Sequence, residues 1–316
     1  MPRDFFKRAP RGELLVGGTI ITDVQASLNA ASAFNITPDG IYGQQTVDAL
    51  SGFQGARGLP VTGTVSDATW SALMRSGEPS IVERCLQVVA SFEGTGFTLI
   101  EGNFDGAGLT WGIIGFTLVN GELGQVLAEI NSRQPALFSE AFGADADHIL
   151  QISGPRSTQQ QRTDFANSIT GPKFRVAEPW RTFFSDLGKQ REVQRIQIER
   201  AREKYWTQIA LRDVGDLGLT EELDLLLLFD VAVQDGGMRS KGRLDAARGL
   251  ITGAMSALDR RRTIAQVVGD SIGGAFRNDV LSRKMCIAAG RGVVHSSRYS
   301  LDAWGFLDGS VPTSVA

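Results

Sequence analysis

Residues 91–117, SFEGTGFTLIEGNFDGAGLTWGIIGFT, constrain this chain more than any other stretch. A helix leads into them: Ser80 and Glu83 make a capping box, and Val82, Leu86 and Val89 recur at helical spacing. One more step of four reaches Glu93, after which Gly94 stops the helix. Gly102, Gly106 and Gly108 around Asp105 predict a tight turn, a short hairpin, and the WGIIGF that follows is apolar enough for the interior. Two carboxylates thus stand at the edges of one glycine-rich turn. Glu93 closes an apolar stripe and is only partly hydrated, which destabilises its anion and suits it to hold a proton near neutral pH. Asp105 is expected to be the wetter, ionised partner. A Glu at a helix end and an Asp before Gly also occur in ordinary folds, so the pattern alone leaves a purely structural reading open.

The chain has 316 residues and 42% apolar content, enough for two domains with a substantial core. A net charge of -3 and a pI near 5.6 argue against a nucleic-acid binder. No apolar run is long enough to insert in a membrane, and the opening MPRDFFKRAPRGELL has no secretory h-region, so synthesis in a reducing cytoplasm is expected. Cys85 and Cys286 make no disulfide framework and read as reduced core residues. His148 and His295 have no spacing that suggests zinc, and Cys85 on an apolar helix face is a poor thiol nucleophile. No metal or organic cofactor is implied.

Residues 22–75 predict a compact module of three short helices, starting at Thr22, after Gly43 and at Ser66. Their inner faces are Val24 and Leu28; Val47, Leu50 and Phe53; and Trp70 and Leu73. With the turns PDGIYG and LPVTGTV, this resembles the peptidoglycan-binding domain of cell-wall hydrolases. Most matching positions also explain themselves as folding requirements. The resemblance implies a stem-peptide site near Asp39, Tyr42 and Gln54. RSGEPS at 75–80 is a polar connection with Gly and Pro, which sets a boundary between a module at 1–78 and a second domain at 79–316.

Further along, residues 120–150 read as helical, with Leu123, Val126, Leu127 and Ile130 on one face. Residues 153–179 are polar and broken by Gly and Pro, and read as an extended surface excursion. Residues 180–212 alternate acids and bases and read as a long solvated helix knitted by pairs four apart. In LTEELDLLLLFDVAVQDGG, Asp230 stands among leucines, and an unpaired charge there would cost several kcal/mol, so a cationic partner is required. RRRT at 260–263 and FRNDVLSRK at 276–284 offer candidates.

The string IEGNFDGAGLTWGIIGF, Ile100 to Phe116, resembles the signature of the family 46 chitosanases, glycoside hydrolases of the lysozyme-like superfamily. The resemblance implies a mainly α fold: the small three-helix module plus a two-lobed lysozyme-like α (α+β) catalytic domain with a cleft. It makes Glu93 the proton donor, Asp105 the general base and Thr110 the holder of the attacking water, and it implies a supporting network of Asp230, Arg262 and Arg277. Glu122 falls where the family uses an acid to bind substrate, and Glu101 is a second substrate-binding candidate. The attached module and the separation of twelve positions from Glu93 to Asp105, shorter than in the family, set chitosan in doubt. The function expected is a monomeric muramidase of the endolysin type, cleaving β-1,4 bonds of bacterial peptidoglycan by an inverting acid/base mechanism after release or export. A chitosanase, a lytic transglycosylase and a non-catalytic wall-binding protein are the alternatives.

Overall fold

The computed structural model describes residues 3–31, 34–93, 96–312 and 314; the side chain of Glu93 and the whole of Gly94 lie outside the described residues. The chain is mainly α and forms two compact units, residues 1–92 with 205–316, and residues 93–204.

The first unit opens with β1 (Asp4–Phe6), α1 (Thr19–Ala31), α2 (Gln44–Ala56), β2 (Val65–Ser66) and α3 (Asp67–Met74), followed by α4 (Ile81–Glu93). The three expected helices of the module are all present, with Val24, Leu28, Leu50, Phe53, Trp70 and Leu73 buried. Ser66 caps α3 by accepting from Thr69 N, and β1 pairs antiparallel with β2. The boundary read after residue 78 falls inside this unit. Lys7 N donates to Ala303 O at 3.1 Å and Leu14 N to Arg298 O at 2.8 Å. Glu222, fully buried, is held by Arg3 and, through Nη2 at 2.5 Å, by Arg84 of α4.

The second unit begins with a small antiparallel sheet, β3 (Ile100–Glu101), β4 (Thr110–Trp111) and β5 (Phe116–Thr117), in the order β3-β4-β5. Around it come α5 (Glu122–Arg133), α6 (Pro135–Phe142), α7 (Ala146–Ser153), α8 (Gln159–Ile169), α9 (Trp180–Lys189) and α10 (Arg191–Ala201). Leu123, Val126, Leu127 and Ile130 of α5 are buried as their spacing predicts, beside Phe138, Phe142 and Phe184. Two expectations need correction. The excursion at 153–179 contains α8, started by a capping box between Thr158 and Gln161. Only Ala166 and Ile169 of α8 are buried, so there was little periodicity to read. Nor is 180–212 one solvated helix. It breaks at Gln190, and α10 buries Val193, Ile196 and Gln197 while its charges reach across to α5, Arg133 meeting Glu199 at 2.5 Å.

A π-helical segment, Arg202–Ala210, continues α10 without a break into α11 (Leu211–Leu217). The first unit is completed by α12 (Glu222–Asp235), α13 (Arg243–Leu250), α14 (Ala257–Asp270), α15 (Arg277–Ala289) and the hairpin β6 (Arg291–Val294) with β7 (Ser297–Ser300). Every residue of α12 from Glu222 to Ala232 is buried, which explains a leucine run with no polar face. Cys85 and Cys286 are free and buried, and burial pushes both thiols up, Cys286 to about 12 with Asp230 adding to it.

Candidate active site

The strand register sorts the residues of the expected catalytic stretch onto two faces. Ile100 pairs with Trp111 and Trp111 with Phe116, and all three are buried. Trp111 Nε1 donates to Phe184 O at 3.2 Å, and its ring lies 5.4 Å from that of Phe184. On the other face Glu101 pairs with Thr110 and Thr110 with Thr117. Directly opposed residues have Cβ atoms about 5 Å apart, so Glu101 stands next to Thr110 as a matter of register.

Asp105 lies in the turn joining β3 to β4 and is exposed, as expected. Its Oδ1 accepts from Ala107 N at 2.9 Å, an Asx turn, while Oδ2 has no protein partner among the described residues. Gly108, at φ +80°, lets the chain turn back, and its N–H donates to Asn103 Oδ1 at 3.0 Å. Asn103 is fastened in turn: its N–H donates to Thr170 Oγ1 at 3.2 Å and its Nδ2 to Asn167 Oδ1 at 2.8 Å. The turn therefore presents a carboxylate to solvent from a fixed backbone.

Glu93 is the last residue of α4. The carbonyls just before it are claimed by the β6–β7 hairpin, where Tyr299 Oη donates to Ser91 O at 3.0 Å and His295 Nδ1 to Phe92 O at 2.9 Å. The other ring nitrogen of His295 meets Asp279 Oδ1 at 2.6 Å. Sequence reasoning considered His295 only as a metal ligand. Its φ of +49° and that of Ser296, +67°, mark a tight hairpin turn that period counting does not reveal. Gln197 was missed as well. Fully buried on α10, it accepts from Ile113 N at 3.0 Å and donates to Phe97 O at 3.3 Å, fixing both flanks of the small sheet.

The remaining candidates separate. Asp230 has the cationic partners it requires, but they are Arg283 Nε at 2.7 Å and Lys284 Nζ at 2.6 Å, not Arg262 and Arg277. Arg262 is exposed, 4.0 Å from Asp259, and Arg277 pairs with Asp270 at 2.5 Å. The assignment by chain spacing failed because spacing counts residues and not faces. Arg262 points about 100° round α14 from the buried Arg261, and Arg277 precedes Arg283 by about one and two-thirds turns of α15. Burial alone would raise the Asp230 carboxyl, but Arg283 and Lys284 outweigh it and hold it below the ordinary Asp value of 3.8. Glu122 at the start of α5 forms an ion pair with Lys204.

In the N-terminal helices, Tyr42 and Gln54 do not face a ligand. Tyr42 is fully buried, its hydroxyl donates to Gly63 O at 2.9 Å, and burial pushes that hydroxyl up, with Asp4 adding to the effect. Gln54, also fully buried, donates to Thr64 O at 2.8 Å and accepts from Gly63 N at 2.9 Å, pinning the LPVTGTV loop. Both positions suit the fold requirement and not the contact role. Asp39 is exposed, and its Oδ1 accepts from Ile41 N and Gln25 Nε2. Among the described residues no group of three or more His, Cys, Asp or Glu is placed to hold a metal, and no helix is long and apolar enough to cross a membrane.

The mainly α fold and an N-terminal segment with its own sequence likeness are the two features that the comparisons with known proteins recover. Residues 17–73 match the sequence family described as "Putative peptidoglycan binding domain". The native chitosanase of Bacillus subtilis MY002 superposes with a TM-score of 0.51 at 15% identity, covering 73% of this chain and 99% of that one. A mutant of that enzyme complexed with 6 GlcN gives 0.51 at 14%, with the same coverage. The Gynuella sunshinyii GH46 chitosanase complexed with chitotetraose gives 0.49 at 16%, over 71% of this chain and 98% of that one. No curated protein matches the chain in sequence. The fold is therefore the lysozyme-like fold of chitosanases, preceded by a peptidoglycan-binding-type segment.

Proposed function

We propose that this protein is a glycoside hydrolase that cleaves β-1,4 bonds of peptidoglycan, a muramidase. The observation that carries the reading is the Asp105 turn: an exposed carboxylate with one oxygen committed to the backbone and the other facing solvent, in a chitosanase-like fold. Asp105 acts as general base on a water held by Thr110, and Glu93 protonates the leaving oxygen, which gives inversion at the anomeric carbon. Glu101, opposite Thr110, helps to bind or orient the sugar or the water. The match at 17–73 supports the wall as the polymer, and the domains we assign are a wall-anchoring module at 1–78 and a hydrolase at 79–316.

The runner-up is a chitosanase, favoured by the similarity in fold to a chitosanase complexed with 6 GlcN. It requires acids free to meet ammonium groups, and Glu122, the acid named for that role, is already paired with Lys204. Incubation with purified peptidoglycan and, separately, with chitosan, followed by mass spectrometry of the new reducing ends, decides between them. Muropeptides ending in reducing N-acetylmuramic acid are expected. Release from chitosan alone would overturn the substrate, and release of neither product would overturn the hydrolase.

A further inference from the structure

Beside the Asp105 turn, within residues 93–204, lies a groove of about 470 Å³ lined by Glu101, Phe104, Lys173, Phe174, Arg175 and Arg181. It is a built feature. The loop 170–176 is clasped against the β3 turn by Gly102 N donating to Phe174 O at 2.8 Å and closed on itself by Gly171 N donating to Arg175 O at 2.7 Å. Only glycine fits at 102, because a Cβ there would lie 2.4 Å from Thr170 Oγ1 and 2.7 Å from Phe174 O. The loop tip is held in an unfavourable conformation, with Lys173 at φ +57° and Phe174 at φ +60°, two consecutive non-glycine residues in the left-handed region. The result exposes Phe174 edge-on to Phe104, with ring centres 6.3 Å apart, and flanks the pair with cations.

The charge balance is the informative part. The chain as a whole is acidic, at -3, yet this groove collects three cations against the single carboxylate of Glu101. Arg181 is engaged with Glu178, whereas Lys173 and Arg175 have no ion-pair partner among the described residues. A line of ammonium groups would be repelled there. Muramic acid differs from glucosamine by a lactyl ether that carries a peptide with free carboxylates and methyl side chains. Carboxylates suit Lys173 and Arg175, and methyl groups suit the Phe104–Phe174 edge.

We propose that this groove is a specificity site that takes the carboxylate-bearing peptide substituent of a glycan bound at the Asp105 turn. The proposal rests on the hydrolase reading above and supplies its preference for peptidoglycan over chitosan. The probe is muramyl dipeptide, compared with its C-terminal amide, which lacks the carboxylate, and with a glucosamine tetramer. Binding is followed by NMR titration in the full chain and in the Lys173→Glu, Arg175→Glu double variant, whose fold is checked by thermal melting. The dipeptide is expected to bind the variant at least tenfold more weakly. The amide is expected to bind the unaltered protein severalfold more weakly than the acid and to lose little further on the variant.

Equal binding of acid and amide, equal binding by both proteins, or tighter binding of the glucosamine tetramer would each overturn the proposal. Equal binding by both proteins is also what attachment through the N-terminal helices alone would give. A protein that binds the dipeptide through Lys173 and Arg175 but cleaves no glycan keeps this site and loses the hydrolase. One that cleaves peptidoglycan with no dependence of binding on those cations loses the site and keeps the hydrolase.

Discussion

At the scale of single residues, Asp230 and Asp105 show how one side-chain type serves opposite ends. Asp230 is fully buried and tied to two cations, so truncating it removes from the interior the carboxylate that Arg283 and Lys284 share, although Lys284 keeps Asp235 at 2.9 Å. Asp230→Ala is expected to cost about 3–5 kcal/mol in urea unfolding, the scale for breaking a buried pair. The pH dependence follows from the depressed carboxyl. The unfolded chain takes up the proton first, so the contribution of Asp230 is complete above about pH 4–5 and is lost as pH falls through its folded value, below 3.8. The gap in stability between the parent and Asp230→Ala should therefore narrow on acidification from pH 5, and a gap that stays constant would contradict the pairing. Asp105 is exposed and can be altered without opening a cavity. Asp105→Asn should melt like the parent and lose about a hundredfold or more in glycan cleavage, the usual range for a general base. Cleavage unchanged in that variant would remove Asp105 from the mechanism and favour a transglycosylase.

Among elements, the small sheet and the helix that ends at Glu93 are each held by contacts from far along the chain. Gln197→Met should lose about 1 kcal/mol for each of the two bonds to Phe97 and Ile113, with earlier hydrogen exchange in β4 than in α12. A similar logic applies to α4. Its last carbonyls need donor partners, and His295→Ala should fray its final turn, read as faster exchange after Val88, at a cost of about 1 kcal/mol. These contacts were not legible in the sequence because they join residues 84 or more positions apart through polar atoms that leave no periodic trace. What was legible was local. The stripe Val82, Leu86, Val89 located α4, glycines around Asp105 located the turn, and the isolated charge at Asp230 announced a partner. The identity of that partner was out of reach, since three arginines in a row at 260–262 look alike until the helix is wound.

On the scale of the whole molecule, the segment before residue 79 carries a sequence likeness of its own and also shares contacts with the end of the chain. RSGEPS looks like a linker, and 17–73 does match a family of its own, yet the stretch before residue 79 shares a unit with α4 and residues 205–316. Nothing in local composition announces that Arg3 will meet Glu222, or that Gly305 will lie so close to Phe5 that a Cβ there would fall 2.5 Å from its carbonyl oxygen. Removing residues 1–78 should consequently do more than weaken sedimentation with insoluble walls. It uncovers Arg84 and Glu222 and is expected to lower the melting temperature by several degrees, an effect of a few kcal/mol in a unit of this size. A truncated protein as stable as the parent would show that the contacts of Arg3 and Phe5 with Glu222 and Gly305 contribute little to the fold.

The discontinuous unit also bears on the order in which the chain can acquire structure as it is synthesised. Residues 93–204 are complete once their own segment has emerged, and their contacts are available at once. The unit that brackets them must wait, because Lys7, just after β1, and α4 find their partners Ala303, Glu222, His295 and Tyr299 only when nearly all of the chain is out. Until then Phe5, Phe6 and the apolar stripe of α4 remain uncovered in a growing chain, a window in which a chaperone has something to hold. Pulse-labelled hydrogen exchange during refolding should protect α5 and α9 before α4, although α4 comes first in the sequence.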